Sequence, residues 1–329
     1  MGNDLQSSGR QRAKLWSYPR HEAFESKLRE RVARYFNKKG YPVQKKYPFI
    51  LKERKSWPSN IILQEVVDYI NAEKDLRAKQ RIGFPLHKYL HHGLSSQALL
   101  FNLIGPLIIR NDFAAIIRLI ANKSIDWPQG KITAHFEVED RQVFNENYGQ
   151  PTSIDLEVNN DSGPTLFIEA KFAESEFGGC SVFNRGDCDG RNPLDRLHFC
   201  YLHHIGRKYW DLMDKHEILT NEWKNSPICP LSCYYQFYRE LLFATHKKGY
   251  FILLHDERSP TFFCKGQDGK RGIFAFLVSM LPESLKSNII DISIQEMFQA
   301  ISMSGKHYDW TSEFSEKYGM ACKESILPP

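Results

Sequence analysis

The chain has 329 residues, 42% hydrophobic and 25% charged, a balance that excludes wholesale disorder and suits one large domain or two modest ones. No apolar run reaches the roughly 18 residues of a membrane span, and Met1 to Arg10 hold no apolar core of a secretory signal. No membrane association is expected, and the cytoplasm is the expected location. The net charge of +5 is unevenly spread, because residues 1–60 carry about +10 and the remainder is mildly acidic.

Residues 1–20 are polar and read as frayed. From Arg20 to Lys39, Phe24, Leu28, Val32 and Tyr35 or Phe36 recur at three- and four-residue spacing, which predicts an amphipathic helix stopped by Gly40 and Pro42. Basic residues from Arg29 to Lys55 alternate with Tyr35, Phe36, Tyr47 and Trp57. That pattern suits either contact with a phosphate backbone or a solvated surface. Pro48 and Pro58 interrupt an extended loop over 45–60, and Ser59-Asn60 reads as the cap of a helix running to about Gln80. The apolar stretch from Leu94 to Asn122 predicts two helices, broken near Gly105-Pro106 or Asn111-Asp112, with Ser95 or Ser96 as a cap. Ile132 to Val138 reads as a first strand, and Glu137 and Glu139 near its end read as exposed charge.

Next come two strands whose charges carry the chemistry. Ile154, Leu156 and Val158 alternate with Asp155 and Glu157, and a turn-like Asn159 to Pro164 leads into Thr165 to Phe172. Residues two apart on a strand share a face, so Glu169 and Lys171 point the same way, and a hairpin pairing brings Asp155 beside them. Two carboxylates and an ammonium on one sheet edge suit Mg²⁺, a hard ion that prefers oxygen ligands and keeps several waters. Lysine beside such a metal can orient the attacking water or receive its proton. A solvated charge pair is the bland alternative for Glu-x-Lys on a strand.

Residues 174–228 read as a long insertion rich in Gly, Asn, Asp and Cys, with a helical patch around His198 to Lys215. Long loops are usually functional or ordered by something. Cys180, Cys188 and Cys200 are the first candidates for a structural metal there, zinc or an iron–sulfur cluster, with buried free thiols as the alternative. Ser232 to His246 predicts a helix with Gln236 and Arg239 three apart on one face, and Gly249 to Leu254 a buried strand. Ile289 to Met303 reads as a further helix before an irregular tail.

The order Pro151-Thr152-x-Ile154-Asp155, a turn, then an apolar strand ending in Glu169-Ala170-Lys171 resembles the signature of the PD-(D/E)XK nuclease superfamily, in its restriction-endonuclease-like branch of bacterial nucleases. Ser95 to Ala98, Ala173 to Gly178 and Tyr235 to Arg239 extend the resemblance, which covers roughly residues 90–260. It implies an α/β fold: a restriction-endonuclease-like core with a mixed central sheet flanked by helices, plus an N-terminal helical region. The expected division is a basic N-terminal region (1–90), a nuclease core (91–265) carrying the insertion, and a C-terminal helical extension (266–329).

The resemblance further implies a Mg²⁺-dependent nuclease acting on DNA, with RNA left open and Mn²⁺ as a substitute metal. Asp155 and Glu169, with the Ala170 carbonyl, are expected to hold the metal, and Lys171 to position the water. Gln236 and Arg239 are expected to assist at the phosphate, and an upstream glutamate is a plausible further metal ligand. Two other readings stay open: a nucleic-acid-binding protein of the same fold that does not cut, and a metal-stabilised interaction protein organised on the Cys/His stretch.

Overall fold

A computed structural model describes residues 21–320 apart from 124, 126, 129 and 263–271. The expectations for residues 1–20 and for the tail beyond 320 lie outside the described residues. Seven longer helices and five strands organise the described chain: α1 (His21–Lys38), α2 (Gln64–Lys79), α3 (Ser96–Ile109), α4 (Ala114–Asn122), β1 (Ile132–Glu139), β2 (Ser153–Asn160), β3 (Leu166–Lys171), α5 (Pro230–His246), β4 (Tyr250–His255), β5 (Ile289–Ser293), α6 (Ile294–Ser302) and α7 (Tyr308–Tyr318).

The strands form one mixed sheet in the order β1-β2-β3-β4-β5. β1, β2 and β3 make an antiparallel meander, and β3, β4 and β5 run parallel. The β2–β3 hairpin turns where Asn160 Oδ1 accepts the Ser162 N–H at 2.9 Å, the local bond that makes Asn a turn former. Gly163 follows because a Cβ there would stand 2.9 Å from Pro128 Cδ. Parallel partners need long crossovers, and the chain between β3 and β4 contains the whole insertion and α5.

Both faces of the sheet are covered, so its central strand is apolar on each side except where chemistry intervenes. One face, carrying Phe136, Leu156, Val158, Leu166, Ile168, Ile252 and Leu254, packs against α1, α2, α3, α4, α6 and α7. The other, carrying Phe167, Phe251 and Leu253, packs against α5, the insertion and the segment 273–285. All six residues of β3 are buried, Glu169 and Lys171 among them.

Several local expectations are corrected, whereas the break at Asn111 and the Ser95 cap are each one of the expected alternatives. The helix α2 starts at Gln64, because Asn60 does not cap it: its side-chain amide donates to the carbonyls of Leu90 and His92, each at 2.8 Å, and a 3-10 helix occupies Arg54–Asn60. α3 runs through Gly105-Pro106, and the break falls at Asn111, whose φ of +50° ends the helix. Ser95 caps α3, its Oγ accepting the Ala98 N–H. The patch from His198 to Lys215 breaks into short helices at Tyr201–His204 and Tyr209–Lys215. Ile289–Ser293 is a strand and not the start of a helix; it adds to β4, and Ser293 then caps α6 through a reciprocal bond pair with Glu296.

Candidate active site

Asp155, Glu169 and Lys171 converge where the β2–β3 ladder opens. The last pair of that ladder is Leu156↔Ile168, so Asp155 and Glu169 stand next in register. Beyond it the Ala170 N–H has no strand partner and donates to Asp155 Oδ2 at 2.9 Å. The N–H and C=O of one strand residue leave on the same side, which directs the Ala170 carbonyl toward the same opening.

Lys171 and Gln236 enclose the Glu169 carboxylate. The Lys171 ammonium donates to Glu169 Oε1 at 2.6 Å and to Gln236 Oε1 at 2.7 Å, while Gln236 Nε2 donates to Glu169 Oε1 at 2.5 Å. α5 packs against β3 and β4, which is what brings Gln236 over the strand. Burial works against the Lys171 charge, but Glu169, Glu174, Glu240 and Asp155 outweigh it and hold the ammonium above the usual lysine range. In the metal-free site Lys171 is thus a hydrogen-bond donor, and a bound cation would lower its pKa.

Arg239 is not drawn into this group. Its guanidinium lies 5.1 Å from the centre of the Tyr235 ring, and the carboxylate that most favours its charge is Glu240.

Two more acids, Glu137 and Glu240, join the site. Glu137, expected as exposed strand-end charge, is only 6% exposed. The register on either side, Phe136↔Leu156 and Val138↔Ile154, sets it across from Asp155. It holds φ +52°, a left-handed conformation that is strained for any residue but Gly and is concentrated at functional sites. Its carboxylate accepts from Gln97 Nε2 at 2.5 Å and from Ser153 Oγ at 2.7 Å. Burial pushes its pKa up to about 7, against those two bonds and aided by Glu169 and Glu139. Gln97, a member of the Ser95–Ala98 motif, thereby acquires a structural role: it also accepts the His87 N–H at 2.8 Å.

Glu240 is the acid that the sequence reading missed. It lies four residues after Gln236, one helical turn on and the same face, and that spacing is the signal that could have found it. The residue is fully buried, and neither of its oxygens receives a donor. Burial first, and Glu169 beside it second, hold its pKa well above the usual range; Asp155 is raised by burial and by Glu169 and Glu137.

Asp155, Glu169 and Glu240 thus act on one ammonium, and Glu137 interacts electrostatically with Asp155 and Glu169. Oε2 of Glu169 is buried and receives no N–H or alcohol donor, while a Glu240 carboxyl that keeps its proton bonds to Glu169. With Asp155 and the Ala170 carbonyl, Glu169 makes a hard-oxygen set that fits Mg²⁺.

The cysteines lie elsewhere. Cys180, Cys188 and Cys200, with Cys229, line one cleft of about 490 Å³ in the insertion. Burial raises the thiol pKa values of Cys180, Cys188 and Cys229, which favours neutral thiols. Among the described residues no three His, Cys, Asp or Glu side chains form a metal-holding group. No described helix is long and apolar enough to cross a membrane.

No curated protein and no solved structure matches this chain. A family model described as restriction endonuclease associating with ARP (REase-ARP) does, over residues 18–319. That span takes in both faces of the sheet and every residue of the acid cluster, so the chain belongs to this restriction-endonuclease family.

Proposed function

We propose that the protein is a Mg²⁺-dependent nuclease that hydrolyses DNA phosphodiester bonds at the Asp155–Glu169–Lys171 cluster. The observation that carries this reading is the burial of Glu169 beside Asp155, which accepts the Ala170 N–H, with the Lys171 ammonium bonded to Glu169. Asp155, Glu169 and the Ala170 carbonyl would hold the ion. When bound, Mg²⁺ supplies charge stabilisation at the phosphate and a more acidic water.

The chain's own groups do the rest. Lys171 donates to the attacking water and orients it, since its environment keeps it charged. Gln236 fixes the Lys171 rotamer by accepting from its ammonium and donating to Glu169. Arg239, on the same helix, offers a cation to a phosphate outside the innermost cluster. Glu137, Glu240 and, without a metal, Asp155 have raised pKa values, and of these Glu137 and Glu240 stand outside the proposed ligand set.

Incubation of supercoiled plasmid and linear duplex with Mg²⁺ or Mn²⁺, for wild type, Asp155→Ala and Lys171→Ala, tests this directly. Metal-dependent cleavage by wild type that both variants lose by about 10²-fold or more is the expected result. Salt-sensitive DNA binding without cleavage would replace the reading with a non-cutting binder.

A further inference from the structure

A second cleft, of about 430 Å³, opens beside the acid cluster and is walled by aromatic rings. Tyr47 and Phe49 line one part, with His87, Tyr89 and His92 in another, and Ala173 and Glu174 at the end nearest β3. Tyr47 and Tyr89 are each 42% exposed. Each ring packs on neighbouring rings by one side, Tyr47 on Phe49 and Tyr89 on His87 and His92, and leaves part of its surface open.

The cleft is rigidly built. Leu51 N–H donates to the His91 carbonyl at 3.1 Å and Gly93 N–H to the Phe49 carbonyl at 2.9 Å, which zips the two ring-bearing loops together. Gly93 sits so close to α1 that a Cβ would fall 2.0 Å from Val32 Cγ1. The His87 end is held by Gln97, the same side chain that holds Glu137.

Arg29, Glu25 and Glu174 are the charged groups of the lining, and two lysines outside it stand over the rings. Lys88 Nζ stands 4.7 Å from the centre of the Tyr89 ring, Lys46 Nζ 5.2 Å from that of Tyr47, and Arg29 5.2 Å from that of Phe49. Glu25 tempers Arg29 through a 2.5 Å bond. His92 is driven down to about 4 by burial and by His91, His87 and Arg54, so its ring is neutral at physiological pH. Flat uncharged faces edged by ammonium groups are the chemistry that receives a nucleobase with its phosphate.

Continuity with the active site is short. Ala173 is two residues beyond Lys171, and the Glu174 carboxylate acts electrostatically on both Lys171 and His87. In a duplex each base is stacked on its neighbours and has no free face to offer, whereas an unpaired base has two.

We infer that this cleft stacks an unpaired nucleobase of the strand that enters the Asp155–Glu169–Lys171 site, which makes single-stranded or locally opened nucleic acid the preferred substrate. The inference rests on the nuclease reading for the word substrate, but the stacking stands or falls on binding alone.

The test is equilibrium binding by fluorescence anisotropy, with Ca²⁺ in place of Mg²⁺ so that affinity is read without turnover. Four probes are compared: a short single-stranded DNA, the same strand with abasic sites, its duplex, and a single strand carrying 2-aminopurine as a stacking reporter. Wild type should bind the single strand about tenfold more tightly than the abasic strand, with 2-aminopurine quenched. Tyr47→Ala and Tyr89→Ala should lose that margin and the quenching, while Tyr47→Phe and Tyr89→Phe should keep both. Equal affinity for base-bearing and abasic strands, a preference for duplex, or no binding overturns the inference, as does indifference to the alanine changes. Cleavage in Mg²⁺ by wild type and Lys171→Ala, run in parallel, reads the nuclease proposal separately: stacking without cleavage would sink that proposal and leave the cleft standing.

Discussion

Gln97 donates its side-chain N–H to Glu137 at 2.5 Å, joining a helix of one layer to an acid at the edge of the sheet. The same amide also donates to the Pro85 carbonyl at 2.9 Å and accepts the His87 N–H. One side chain therefore positions a strained glutamate and the loop that carries Tyr89.

Gln97→Ala should destabilise the protein by about 1–3 kcal/mol, the cost of stranding buried polar partners. Thermal melting in metal-free buffer reads this. An unchanged midpoint would mean that water replaces the amide freely and that Gln97 organises nothing.

Stability should fall as pH rises from about 4.5 to about 7, in the absence of metal. Glu137 keeps its proton up to about 7 in the folded state, while in the unfolded chain it loses it near the ordinary glutamate value. In that window the folded state binds more protons than the unfolded one, so the slope of unfolding free energy against pH is negative. Glu137→Gln should flatten the slope, as denaturant titrations at several pH values would reveal. An equally steep fall in the variant would assign the effect to Asp155 or Glu240.

Glu240→Gln should raise the melting temperature at pH 8. A carboxyl with a raised pKa and no donor favours the neutral form, and the amide is neutral at every pH. The gain should be on the order of 1–2 kcal/mol, as when a functional site is relieved of strain. A lower midpoint would show that the Glu240 charge is compensated in solution.

Mg²⁺ should stabilise wild type and not Asp155→Ala. At an ion concentration about 100 times Kd the gain is ~2.7 kcal/mol, large enough to see in a melting curve without any substrate. An equal rise in both proteins would place the ion elsewhere.

The Asp155–Glu169–Lys171 trio is legible in the chain because its causes are local. A strand repeats every two residues, and a short turn forces neighbouring strands into register. The two charged positions of β3 and Asp155 of β2 follow from that arithmetic. Family resemblance adds the chemistry, which alternation alone does not contain.

Burial is a different matter. Glu139, two residues beyond Glu137, is half-exposed, and nothing in the strand pattern separates the two. Glu137 is enclosed because α3, more than thirty residues earlier, lays Gln97 on it and a left-handed backbone turns it. Likewise Glu240 joins the site only because the β3–β4 crossover packs α5 against the sheet. The five residues of β5 read as the front of a helix, and only their parallel pairing with β4 makes them a strand. The sequence by itself determined which groups carry the charge and which alternate with apolar neighbours. The tertiary structure alone decided which of those charges lose their water, because desolvation depends on what distant segments place on top of them.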